Sequence, residues 1–220
     1  RPVGSHEATR NFSVTISVLG ATGHIGRRLV TTLLDEGYQV TAFCHGMSPF
    51  PHHNGLRAVQ GDVHHADDLR RAVSGSNTVI SALGSWHTPT QDILSSTTKH
   101  LIKVMPELGI NRLVTLTGAD ARSPKDHPTV FQQLLRPVFL TIAPKILADA
   151  ENHLEMLQQS SLDWTSLRSP VMRSFGPHGR YKVTTTPPLP WATIHRHDVV
   201  TALIQLAVSD DFTGQAVFIK

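Results

Sequence analysis

Cysteine is nearly missing from this 220-residue chain: Cys44 stands alone, so no intramolecular disulfide can form, and a reducing, cytoplasmic setting is expected. No apolar run approaches the length of a membrane span, and the first residues lack the charged-then-apolar pattern of a secretory signal, so no membrane contact is expected. There is no block of lysine and arginine, and the net charge is only +3, so no nucleic-acid partner is expected either. That mild positive bias suits a small anionic ligand. No Gly-x-Ser-x-Gly elbow is present, which removes support for a nucleophilic hydrolase. The 14 histidines include the close pairs His52-His53, His64-His65 and His195-x-His197. No cysteine or carboxylate completes a ligand set at a familiar spacing, so no metal is expected.

What the chain does have is concentrated near its start. The β-branched run Val14 to Leu19 leads into Gly20-Ala21-Thr22-Gly23-His24-Ile25-Gly26. Beyond it, Leu29, Val30, Leu33 and Leu34 recur at a period near 3.6 until Gly37. The pattern predicts a strand, a tight glycine turn and an amphipathic helix. Such a turn lets backbone approach a pyrophosphate and aims unpaired helix N–H groups at negative charge. The spacing is Gly-x-x-Gly-x-x-Gly rather than Gly-x-Gly-x-x-Gly. A βα turn whose glycines serve packing alone is the competing reading.

Further strands are predicted over Gln39–Cys44, Leu56–Gln60, Thr78–Leu83, Arg112–Thr117, Asp163–Leu167 and Ala216–Ile219. Helices are predicted over Asp67–Val73, Gln91–Leu108 (with Pro106 tightening its last turn), Ile146–Gln159 and Asp198–Val208. Strands and helices alternating at this cadence predict an α/β fold, a Rossmann-like doubly wound parallel sheet in a single domain over residues 13–220. Residues 1–12 are expected to be disordered or tag-derived. Segments 118–145 and 171–195 are expected to be substrate-side loops, although a plain solvent loop reads equally well for 174–191.

In an open parallel sheet, ligands sit beyond the carboxyl ends of the strands. The expected cofactor contacts are therefore Gly20, Ala21, Thr22, Gly23, His24, Ile25 and Arg27 at the first turn, and His45 after the second strand. Asp62 and Val63 follow the third strand, with Asp62 placed to accept from an adenine amino group. Leu83, Gly84, Thr115, Thr117, Pro170 and Val171 complete the set. NAD sites favour an acidic residue after the second strand, whereas this chain has Cys44-His45-Gly46. With Arg27 and Arg28 just past the glycine turn, NADP is expected, with NAD as the alternative.

At this level of detail the chain resembles an atypical member of the short-chain dehydrogenase/reductase superfamily, in the group of NmrA-like proteins and biliverdin-IXβ/flavin reductases. The resemblance runs from about Val14 to Lys220. It rests on Gly20 to Gly26, Gly61-Asp62-Val63, Ser160 to Pro170, Gly179-Arg180-Tyr181 and Ile194 to Val200. It implies a Rossmann-like domain holding NADP or NAD, with the nicotinamide near Thr117 and Pro170 to Met172. The chain departs from the superfamily in lacking Tyr-x-x-x-Lys: Tyr38 and Tyr181 are followed four residues later by Ala42 and Thr185. The usual Arg-Pro pair reads Arg168-Ser169, Ala150 replaces a histidine common in the reductase branch, and His45 replaces an arginine.

Thr117 is the expected catalytic residue, positioning a substrate or the carboxamide, with a packed strand hydroxyl as the competing reading. Asp120, Asp126, His127, His153 and Tyr181 are weaker proton donors. Trp86 fits a lid over a planar acceptor or a residue packing its loop. The expected activity is hydride transfer from NADP(H) to a planar conjugated acceptor, such as a flavin or quinone, which can take its proton from solvent. A non-catalytic NAD(P)-binding sensor is the alternative, and an isomerase or epimerase that borrows the nicotinamide is a third reading. The expected partner is a small-molecule substrate, with the chain a monomer or homodimer.

Overall fold

The computed structural model describes residues 14–86, 88, 90–126, 133, 136, 137 and 140–220. In chain order these form β1 (Thr15–Leu19), α1 (His24–Asp35), β2 (Gln39–Cys44), β3 (Leu56–Gln60), α2 (Ala66–Val73), β4 (Thr78–Ser81), α3 (Ile93–Glu107), β5 (Arg112–Gly118), α4 (Pro144–Gln159) and β6 (Asp163–Ser169). The remainder comprises β7 (Val171–Arg173), β8 (Val183–Thr184), β9 (Thr193–His195), α5 (Arg196–Ala207) and β10 (Gln215–Ile219). The sheet runs β3-β2-β1-β4-β5-β6-β10-β8. Every pairing in it is parallel except β10 with β8.

Burial follows from that order. Ile16, Val18 and Leu19 on β1 are fully buried because helices cover both faces of a parallel sheet. At the edge, β3 exposes Arg57, Ala58 and Gln60. One core layer joins the sheet to α1 and α5 through Leu29, Leu33, Val199 and Leu203. The other lies under α2 and α3, through Leu69, Leu101, Met105 and Trp164. Helix α1 buries Ile25, Gly26, Leu29, Val30 and Leu33, the face its periodicity specifies. It ends in a left-handed glycine cap: Gly37 has φ +84°, its N–H donates to Leu34 O, and Tyr38 N–H donates to Leu33 O. Pro106 does tighten the end of α3, where Leu108 N–H reaches Met105 O and Gly109 N–H reaches Pro106 O, each at 3.0 Å.

Three features depart from the sequence reading. β4 stops at Ser81, two residues short, because the chain leaves the sheet before Leu83. Beyond Pro170, β7 pairs in parallel with β9 in a separate two-stranded sheet, Val171 opposite Thr193 and Arg173 opposite His195. Within the stretch 174–191, β8 returns to the main sheet against Phe218 and Ile219. These strands of two or three residues carry no periodicity of their own; their partners specify them.

The glycines of the first turn do three different jobs. Gly20 has φ +74°, and a Cβ there would meet Ala82 O at 2.9 Å, so β1 and the β4 loop approach through it. Gly23 donates to Gly20 O at 3.0 Å and forms the N-cap of α1. A Cβ on Gly26 would overlap the Gly20 carbonyl, which is backbone and cannot yield. Gly26→Ala is therefore expected to destabilise the fold by roughly 1–3 kcal/mol through overpacking, read as a lower urea midpoint. Gly23→Ala, whose Cβ would lie 3.3 Å from the same oxygen, should shift the midpoint much less.

Candidate functional site

Strand order reverses between β1 and β4, and the crevice at that point opens beyond the strands' carboxyl ends. On its β1 side stands the N-terminus of α1. Gly23 caps it with no side-chain hydrogen bond, so its first N–H groups have no side-chain acceptor. The turn and helix together form a cradle suited to a phosphate, which is the fit that a dinucleotide requires. Arg27 folds back over the turn, its Nε donating to Thr22 O at 2.8 Å.

On the other side a cavity of about 670 Å³ lies across the ends of β4, β5 and β6. His24 and Ile25 line it from α1, Leu83 to Trp86 from the loop after β4, and Thr117, Gly118 and Asp120 from the end of β5. Ile146, Leu147 and Ala150 on α4 form an apolar wall, and Pro170 to Met172 and Arg196 close the far end. Of the residues expected at the cofactor, His24, Ile25, Leu83, Gly84, Thr117, Pro170 and Val171 meet at this cavity. Gly20 to Gly23 form the adjoining turn. His45 sits exposed after β2, and Val63 is buried after β3. Asp62 lies in the same loop with its Oδ1 accepting from His64 N at 2.9 Å, which leaves the second carboxylate oxygen available.

Thr117 Oγ1 is buried and has no hydrogen-bond partner among the described residues. An orphaned hydroxyl on the wall of a largely apolar cavity costs free energy unless a ligand completes it. Thr115, also expected at the cofactor, turns its hydroxyl inward to His153 Nε2 at 3.0 Å and is not among the residues that line this cavity.

Other expected proton donors are committed elsewhere. Asp126 pairs with the fully buried Arg168 and also accepts from Ser123 N at 2.8 Å. Arg168 further donates to Ala121 O and Ala216 O and lies 3.8 Å over the Phe218 ring, so this pair fixes the loop after β5. The Tyr181 phenol donates to Gln205 Oε1 at 2.7 Å, and burial, with Asp198 nearby, raises its pKa. His127 lies outside the described residues. Asp120 lines the cavity with no partner among the described residues, and burial alone pushes its carboxyl above the ordinary range.

The wall beneath the cavity is polar and fully paired. Asp149 on α4 caps α3 from outside, accepting from Leu94 N at 3.1 Å, Ser95 N at 2.8 Å and Ser95 Oγ at 2.6 Å. It also accepts from the cavity residue Ser85. One turn along, His153 joins α4 to α3 and β5. Thr98 spends its proton on Leu94 O, so His153 Nδ1–H donates to Thr98 Oγ1 at 2.6 Å and Nε2 accepts from Thr115. Among the described residues no group of three potential metal ligands gathers, and no helix is long and apolar enough to cross a membrane.

Several known proteins share this architecture. The family model for NAD(P)H-binding proteins matches residues 20–210. The 3-beta-hydroxysteroid dehydrogenase of Mycolicibacterium neoaurum is 32% identical over 111 residues, 45% of this chain and 30% of that protein. The photosystem II assembly factor Ycf39 of Cyanophora paradoxa is 35% identical over 69 residues, 30% of this chain and 22% of its own. This chain thus spans less than a third of the curated relatives it matches. A wide-type short-chain dehydrogenase/reductase from Veillonella parvula, solved in complex with NADP, superposes at a TM-score of 0.75 over 94% of each chain with 18% identity. The oxidoreductase ylbE of Lactococcus lactis gives 0.74 over 94% of this chain and 90% of its own, also at 18% identity. At that identity the likeness is one of fold.

Burial drives the His153 pKa down from 6.5 to about 4. A histidine lowered in the folded state contributes stability that is present above pH 6.5 and is lost as pH falls through about 4. The shift corresponds to about 3 kcal/mol. Urea unfolding at pH 7.5 and pH 4 should show His153→Gln losing less stability on acidification than the parent chain.

Proposed function

This chain belongs to the NAD(P)H-binding family, and on that premise we propose that it is an NADP(H)-dependent oxidoreductase passing hydride to a planar conjugated acceptor such as a flavin or quinone. The observation that carries the reading is continuity: His24 and Ile25 belong both to the α1 terminus, which has no side-chain cap, and to the largely apolar cavity. A dinucleotide with its pyrophosphate at that terminus has its reactive end directed to the cavity, beside Thr117. When bound, the nicotinamide supplies the hydride. The chain's own residues bind and orient.

Gly20, Ala21, Thr22, Gly23, His24 and Ile25 are assigned to the pyrophosphate. Arg27, His45, Asp62 and Val63 are assigned to the adenosine end, and Leu83, Gly84, Thr117, Pro170 and Val171 to the nicotinamide end. Thr117 Oγ1 then gains the partner it lacks, a carboxamide or an acceptor oxygen. The apolar walls exclude water and offer a flat acceptor surface area, as ligand cavities of this size do. The NADP preference rests on Arg27 and the exposed Arg28, with no carboxylate in Cys44-His45-Gly46 to repel a 2′-phosphate. Segments 118–145 and 171–195 are proposed as the substrate-side loops of the domain.

A sensor that binds the nucleotide without turnover is the second reading. The engagement of Asp126, His153 and Tyr181 elsewhere favours it, since these side chains are unavailable as acids. NADPH oxidation measured against FMN, a set of quinones and biliverdin, with NADH in parallel, separates the two. Saturable, NADPH-preferring turnover with one acceptor class is the expected result; tight binding without turnover selects the sensor. Replacing Arg27 and Arg28 together by Ala should weaken NADPH binding by roughly tenfold, the scale of one charged hydrogen bond, and leave NADH nearly unchanged.

A further inference from the structure

The proposed acceptor pocket has an uneven charge inventory. Among the described residues that line it, one is acidic, Asp120, and one is strongly basic, Arg196. Every ion pair found among the described residues lies elsewhere, and none includes Arg196. Its Nη1 donates to Ser174 Oγ at 2.6 Å, which leaves Nε and Nη2 without a partner among the described residues. No ion pair joins it to Asp120, the acid of the same wall.

The position of Arg196 is locally unfavourable. It is the first residue of α5, where a cation meets the positive end of the helix dipole. The acid of that turn, Asp198, is buried and accepts from Gly179 N at 2.6 Å, on the loop side. The backbone beneath Arg196 is held firmly. Ile194 and His195 pair with Met172 and Arg173 across β9 and β7, and His195 Nδ1 caps the helix by accepting from His197 N at 3.1 Å. An unneutralised, half-buried guanidinium is thus anchored beside Val171 and Met172, in the wall of an apolar cavity.

We propose that Arg196 anchors an anionic group of the second substrate, so that the acceptor is an apolar planar molecule bearing a carboxylate or phosphate rather than a neutral ring. This inference rests on the acceptor pocket proposed above. The cofactor's own charges have other partners in that reading. Its pyrophosphate has the α1 terminus, and its 2′-phosphate belongs at the end of β2, four strand spacings or roughly 19 Å from β6. Guanidinium suits the task because its remaining N–H groups form a planar fork that donates to two oxygens at once.

The test uses probe pairs that share a ring system and differ in charge: FMN against riboflavin, and a naphthoquinone sulfonate against menadione. Binding to the NADP-loaded protein is read by calorimetry, without turnover. The parent chain should bind the anionic member of each pair roughly tenfold or more tightly than the neutral one. Arg196→Gln, which retains a polar contact for Ser174, should abolish that preference while leaving riboflavin and NADPH affinities unchanged. Arg196→Lys should keep part of it. Equal binding of charged and neutral probes by the parent chain would overturn the proposal, as would a loss of NADPH affinity in Arg196→Gln matching the loss for FMN, which would assign the arginine to the cofactor. If NADPH binds but no probe of either charge does, the acceptor pocket itself is refuted, and this inference falls with it.

Discussion

A single carbonyl oxygen sets the geometry on which the rest depends. Gly20 O accepts from Gly23 N–H, and no side chain at position 26 can coexist with it. The contact brings α1 up against the end of β1, while Gly20 itself, at positive φ, lets the β4 loop close in through Ala82. The helix terminus, the strand-order reversal and the cavity mouth therefore meet at one point. Moving α1 outward by a methyl group's width would separate the phosphate cradle from the cavity. Among the three glycines, the one with the least direct access to a ligand is the one the architecture most needs.

Around that point, paired and unpaired polar groups divide the work. Asp149 with Ser85 and the α3 terminus, His153 with Thr98 and Thr115, and Arg168 with Asp126 are buried and multiply bonded. Such pairs add little net stability, but breaking one leaves a costly buried group, so they hold the walls in one arrangement. Thr117 and Arg196 stand out against that background. One is a buried hydroxyl without a partner, the other a cation without a counterion, and both face the same cavity. Ser166 Oγ, Arg168 Nε and Arg112 Nε are likewise buried without a partner, but none of these residues lines the cavity, where Thr117 and Arg196 are within reach of something that binds.

The sheet and its helices were largely legible because periodicity and glycine punctuation act locally. β2 falls where its β-branched, apolar run places it, β3 ends just before Gly61 as expected, and Gly37 ends α1 by a left-handed cap. What stayed hidden depends on distant partners. Thr115 and Thr117 share one face of β5, and alternation specifies that face correctly, but not depth. Two residues make about 7 Å along a strand, enough to put one hydroxyl on His153 and the other in the cavity. The cap of α3 comes from Asp149, on a helix 55 residues later, so nothing near Asp92 announced it. The sequence assigns Arg196 no role: the helix expected from Asp198 begins two residues earlier, and periodicity does not specify that its first residue lines the cavity. β7 and β9 exist only through each other.

The central claim is that one dinucleotide spans the first glycine turn and the apolar cavity. Hydrogen–deuterium exchange with and without NADPH tests it most directly. Slowed exchange is expected in two segments far apart in sequence, residues 20–27 and 170–173, with the N-terminal side of the sheet unchanged. Protection confined to other parts of the chain, or none at saturating nucleotide, would contradict it.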